Sequence, residues 1–121
     1  MRLDGTVTHE RLRPAALDAM ASVNAELHEW QVAQRAAGHA DLASLPTAQL
    51  GGESTYVLRY RRAVYHLARA DVTEQYRAYD STKSGGQKAE DLEATICESR
   101  RNARWALNDI RGIPRSTVEL I

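Results

Sequence analysis

The chain has 121 residues, with sixteen basic side chains balancing sixteen acidic ones for a formal charge of zero. That length suits one domain with a modest core, and a lone cysteine, Cys97, excludes an intrachain disulfide or a thiolate metal cluster. Charge balance disfavours a protein built mainly to grip phosphate backbones, and the want of any run of about 18 apolar residues excludes a membrane-spanning helix.

Residues 1–8 read as a short extended lead with an Asp4-Gly5 turn signal and Leu3 and Val7 as apolar anchors. No signal-peptide apolar stretch opens the chain, which places synthesis in the cytoplasm. Thr8 suits the cap of a first helix, and Glu10 follows where the helix dipole favours an acid. Leu12, Ala16, Met20, Val23, Leu27 and Trp30 then recur three or four apart, which makes one helix face. Pro14 lacks an amide donor and predicts a start or a bend nearby, while Gly38 predicts the stop. Residues 39–52 form a connector closed by Gly51-Gly52. It is long for a featureless loop, so a turn of helix is expected within it, with Leu42, Leu45 and Leu50 tucked against the core.

Ser54 is the expected cap of a second helix running to about Asp80, roughly 40 Å at 1.5 Å per residue. Val57, Tyr60, Val64, Leu67 and Ala68 share one face, and Tyr65, Val72, Tyr76 and Tyr79 lie round to another side. Arg59, Arg62, His66, Arg69, Thr73 and Arg77 make the polar arc. Two apolar sides predict two burials. The simpler explanation is a neighbouring subunit, and the alternative is a centre helix enclosed by the first and third. Residues 81–87 read as a polar loop; Lys83-Ser84 beside glycines lacks the glycine pattern and preceding strand of a phosphate loop.

A third helix runs from Ala89 to Gly112, with Glu90, Asp91 and Glu93 early and Arg100, Arg101, Arg104 and Arg111 late, the order that opposes the helix dipole. Its seam is Ala89, Leu92, Ile96, Ala103, Leu107 and Ile110, and Cys97 reads as a small buried hydrophobe. Gly112 and Pro114 end it. Beyond lies an extended tail whose apolar positions alternate. Arg115, Thr117, Val118, Glu119, Leu120 and Ile121 are the candidate partner-binding residues, by strand addition or as an apolar plug. The expected architecture is all-α: a small bundle of about three long helices, with a helical domain over 1–112 and a docking tail over 113–121.

His9, His28, His39 and His66 are scattered and expected on exposed helix faces, and His28-Glu29 is not completed as a zinc helix because position 32 is Val32. No nucleophile elbow or poised carboxylate pair appears, so the chain reads as neither an enzyme nor a cofactor binder. Arginine, tyrosine and tryptophan are enriched at protein–protein hot spots. Tyr65, Tyr76, Tyr79, Arg101, Arg104 and Trp105 are therefore the candidate subunit–subunit contacts. The competing reading is a nucleic-acid-binding packaging or regulatory module using Arg100, Arg101 and Arg104 beside Trp105. Arg101 and Trp105 lie four apart, so a cation–π contact within the helix is expected in either case.

The run Arg100-Arg101-Asn102-Ala103-Arg104-Trp105-Ala106, then Asp109, Gly112, Pro114-Arg115 and Thr117-Val118-Glu119-Leu120-Ile121, resembles the head completion (head stabilisation) proteins of peduovirus-type contractile-tailed phages. Leu3-Asp4-Gly5-Thr6-Val7-Thr8, Tyr60-Arg61-Arg62-Ala63-Val64-Tyr65, Tyr76-Arg77 with Tyr79-Asp80, and Ala89-Glu90 with Leu92-Glu93 fit the same family in the same order. Members tend to place proline directly after the threonine cap, where His9 follows Thr8 here, and to carry a further segment before Leu3-Asp4-Gly5. The resemblance implies a structural neck adaptor in the virion, made in the host bacterial cytoplasm, that binds the portal ring after DNA packaging and readies the filled head for the tail. It implies other neck and tail completion proteins as partners, and a ring of twelve copies through which DNA passes without being read in sequence.

Overall fold

The computed structural model describes residues 9–80 and 86–114, with side chains for 12–78 and 90–114. Its element order is α1 (His9–Glu26), α2 (His28–Ala36), a 3₁₀ turn (Leu42–Ser44), β1 (Gln49–Leu50), β2 (Glu53–Ser54), α3 (Thr55–Asp80) and α4 (Gly86–Arg111). The fold is all-α apart from the two short strands. The expected extended lead and docking tail lie outside the described residues.

The first predicted helix is two. It runs through Pro14 and is interrupted at Leu27, which sits at φ −93° and ψ 4°. The Leu27 amide still reaches Val23 O at 3.0 Å and its carbonyl still accepts from Gln31 at 2.8 Å, so the interruption is one residue deep. Its buried face is also rotated from the expected one. Ala15, Ala19, Val23 and Leu27 are buried at a strict spacing of four, whereas Met20 is 40% exposed. Small side chains let helix axes approach closely, and α1 presents alanines to α3 instead of its methionine.

The connector holds the expected turn of helix, closed by a reciprocal pair between Asp41 and Ser44: Ser44 N donates to Asp41 Oδ1 at 2.9 Å, and Asp41 N donates to Ser44 Oγ at 3.3 Å. Of its leucines, Leu45 is buried, but Leu50 is 59% exposed and not tucked against the core. Gly51-Gly52, both at positive φ, turn the chain into an unforeseen antiparallel hairpin that pairs Gln49 with Ser54 and Leu50 with Glu53. The hairpin leads directly into α3. Ser54 Oγ accepts from Tyr56 N at 3.1 Å as the predicted cap, and the Thr55 hydroxyl donates to Ala48 O at 2.6 Å.

The most extensive helix contact is α3 with α4, followed by α1 with α3. The second burial of α3 is therefore within the chain: α3 is the enclosed centre helix, and a neighbouring subunit is not needed to explain its pattern. At ~100° per residue the α4-facing positions Ala63, Ala70 and Thr73 lie nearly opposite Val64 and Ala68 on the α1 side. The polar arc is therefore only partly open to solvent. Thr73 is fully buried, Arg59 donates to Asp109 O at 3.3 Å, and Arg77 pairs with Glu93, so much of the arc faces α4. On α4 the seam is Ile96, Ser99, Ala103, Ala106, Leu107 and Ile110, with Ser99 and Ala106 added to the expected set. The helix begins at Gly86, so its acids lie beyond the first turn. Cys97 is exposed, against expectation, with its thiol 3.6 Å from Glu93 Oε2, because position 97 points away from a seam that takes 96 and 99.

Both predicted glycine stops form. Gly112, at φ 76°, donates to Asp109 O while Ile113 donates to Asn108 O at 2.8 Å; Gly38 and His39 repeat the pattern on Arg35 and Gln34. The core has two linked parts. Val23, Leu27, Ala63, Ala106, Leu107 and Ile110 pack with Trp30, Tyr56 and Tyr60 around them, and Ala15, Ala19, Ala68 and Val72 continue along α1 and α3; Val64 and Leu67 touch both.

Candidate interaction surface

The antiparallel α3–α4 pair has two flanks. On the flank towards α1 an open groove of about 370 Å³ runs between α1 and α4, with Ala15, Ala19, Ala70, Ala103, Leu67 and Leu107 inside and Asp18, Glu26, Asp71, Arg100 and Arg104 at its rims. Arginine–carboxylate pairs tie this flank together. Arg100 reaches Glu74 at 2.6 Å, and Glu26, the last residue of α1, takes both Arg104 at 3.4 Å and Arg111 at 3.7 Å. Arg111 also donates to Glu26 O at 3.3 Å and to Asn108 Oδ1 at 3.1 Å. An acid at a helix C-terminus adds to the negative end of the helix dipole and is unfavourable there, and two arginines from the far end of the chain offset that here.

The other flank carries a connected series of side chains. Tyr65, 42% exposed, stands edge-on to His66 with ring centroids 5.1 Å apart. His66 lies within electrostatic range of Glu98 on α4 and of Arg62 and Arg69 on its own helix. Glu98 reaches Arg101 at 3.9 Å, and the Arg101 guanidinium sits 4.7 Å from the Trp105 ring centroid, the expected contact four residues apart. Burial pushes the His66 imidazole below its ordinary pKa, the two arginines push it further, and Glu98 opposes them. His66 is half-buried with Nδ1 unpartnered among the described residues, not the exposed helix histidine expected. Burial likewise raises the Tyr60 phenol against the effect of its 2.8 Å hydrogen bond to Asn24.

The six expected subunit contacts thus divide. Tyr65, Arg101 and Trp105 fall on one flank. Arg104 lies on the opposite flank, paired with Glu26, and Tyr76 is 8% exposed, inside the chain's own fold. The Tyr79 side chain lies outside the described residues, as do the expected tail residues Arg115, Thr117, Val118, Glu119, Leu120 and Ile121. The arginine cluster of α4 is also split: Arg100 serves α3, Arg104 serves α1, and Arg101 stays on its own helix. Sequence reasoning missed the opposite case, Arg62 and Arg69. Neither has a hydrogen bond or ion pair among the described residues, and their spacing of seven on α3 was the available signal.

No described helix is long and apolar enough to cross a membrane. Residues 1–121 match the family described as phage head completion protein (GPL). The head completion/stabilization protein of Escherichia phage P2 is 43% identical over 121 residues, spanning all of this chain and 72% of that protein. No solved structure matches the chain.

Proposed function

The chain belongs to the phage head completion protein family, and from that premise we propose that it is a non-enzymatic neck subunit that binds the portal ring once DNA is packaged. Membership makes it a head completion protein of the virion, associated with the phage head. The finer reading is that copies assemble as a ring, dodecameric where it meets the portal, stabilise the filled head and offer the next surface to neck and tail completion proteins. A closing ring of this kind needs heterologous contacts, in which two different faces of one subunit meet. The Arg101–Trp105 edge of α4, where Arg101 is exposed and Trp105 half-buried, with exposed Tyr65 at its border, is the aromatic and arginine surface suited to one of them. The tail from Arg115 to Ile121 is assigned to the portal.

The observation that carries this reading is 43% identity along the full chain. The competing reading relied on a free arginine cluster on α4, and Arg100 and Arg104 are instead spent on carboxylates of the chain's own α3 and α1. Light scattering of the purified chain, alone and with portal rings, tests the proposal. The expected result is a gain of about one copy per portal subunit, as ring symmetry requires. A stable dimer indifferent to the portal would overturn it.

A further inference from the structure

The break at Leu27 has no cause in the local sequence. Residues 23–33 contain no glycine, proline or serine, and Ala25, Glu26, Leu27 and Glu29 all favour helix. Leu27 and Gln31 keep their bonds to residues four back, which excludes a bulge of the π type. The remaining cause of a helix break is a side chain or water inserted into the hydrogen-bond ladder. Arg111, in the last turn of α4, is such a side chain. Its Nη1 donates to Glu26 O at 3.3 Å, the carbonyl just ahead of the break. In a continuous helix that carbonyl takes the amide of Trp30, four residues on. The same guanidinium stands 3.7 Å from Glu26 Oε1 and donates to Asn108 Oδ1 at 3.1 Å, and its side chain is only 21% exposed.

We infer that α1 and α2 are one helix held broken by Arg111, so that the direction of α2 is set from the last turn of α4. This goes beyond the neck-subunit reading and uses none of its portal or copy-to-copy contacts. α2 offers little resistance to being re-aimed. None of its residues is buried, and it is anchored through Trp30, half-buried against the core with its ring centroid 5.7 Å from that of Tyr56. A backbone carbonyl stripped of its donor seeks another. With Arg111 withdrawn, the Glu26 carbonyl and the Trp30 amide are left to each other, Leu27 moves from φ −93° and ψ 4° to helical dihedrals, and α2 continues the axis of α1. Trp30 then turns away from Tyr56. The Glu26 carboxylate steadies the guanidinium, but it is the contact to the backbone that makes the break. Arg111 is followed at once by the Gly112 stop, so a contact that draws on the end of α4 re-aims α2.

Backbone NMR of the full chain is the test. In wild type the Leu27 Cα shift should fall short of its helical neighbours, and the Trp30 and Tyr56 rings should show mutual NOEs. Arg111→Met keeps the packing of the side-chain stem and removes only the donors. It should raise the Leu27 shift to that of its neighbours, slow hydrogen exchange at the Trp30 amide and abolish the ring NOEs. Arg111→Ala should do the same. Glu26→Gln removes the carboxylate and leaves the carbonyl, so it should retain the wild-type values at Leu27 and Trp30. A break that persists in both Arg111 variants overturns the inference and assigns the break to the packing of Trp30 on Tyr56. A helix that becomes continuous in Glu26→Gln also overturns it, because the ion pair and not the backbone contact would then hold the break. Unfolding of both Arg111 variants overturns it too, since Arg111 would then support the fold as a whole. None of these outcomes bears on portal binding, which is read separately by light scattering.

Discussion

Thr73 Oγ1 and Ser99 Oγ are fully buried on the α3 and α4 sides of one helix contact, and neither has a hydrogen-bond partner among the described residues. An unpaired buried hydroxyl costs the chain its desolvation without return, on the order of 1–3 kcal/mol. Thr73→Val keeps the branched shape and removes the hydroxyl. It should raise stability by about 1 kcal/mol, read as a higher urea midpoint at unchanged slope. A lower midpoint would show that the hydroxyl is bonded after all. His66 carries a second residue-scale consequence. Its folded pKa lies below its unfolded one, so near pH 6.5 the unfolded chain binds more protons than the folded chain, and stability rises with pH. Stability is therefore lost as pH falls below about 6.5 towards the depressed folded value, and His66→Gln should flatten that part of the profile.

At the scale of elements, Glu26 joins the end of α1 to the last turns of α4. The contacts to Arg104 and Arg111 are partly exposed, so each contributes a few tenths of a kcal/mol and no more than about 1 kcal/mol. A double-mutant cycle of Glu26→Ala with Arg111→Ala should give a coupling of that size, shrinking in high salt. Zero coupling would show that the pair contributes nothing to holding α1 and α4 together. The groove beside this junction explains why the coupling matters: α1 and α4 lean on α3 and scarcely on each other. The arginines that bridge it are the same ones that a reading of α4 alone would leave free for a partner.

For the whole molecule, the proposed docking role of the tail predicts that its loss and loss of the helical fold are separable. Deleting residues 117–121 should abolish portal binding and leave the helical circular dichroism intact. Unchanged binding would remove the tail from the docking role and leave the α3–α4 flank as the remaining candidate. The described helices account for the buried core without the tail, since Val23, Ile110 and Val72 are already enclosed by α1, α3 and α4. Loss of helix on deletion would show that the tail belongs to the fold.

Local rules made much of this protein legible. The cap at Ser54, the stops at Gly38 and Gly112, the span of α3 and the turn inside the connector depend on residues within about one helical turn of each other, and the sequence alone determined them. The family, too, was readable from an ordered set of short motifs. What only the tertiary structure decided was which residues far apart in sequence meet. Met20 and Ala19 are equal candidates for burial until α3 offers a surface that alanines fit closely. Arg104 and Arg62 look alike in the chain, but 78 residues away Glu26 takes the first, and none of the described residues takes the second. Periodicity orients a side chain around its own helix; it carries no information about the opposing surface, and it is that surface which makes an arginine a brace or a free charge.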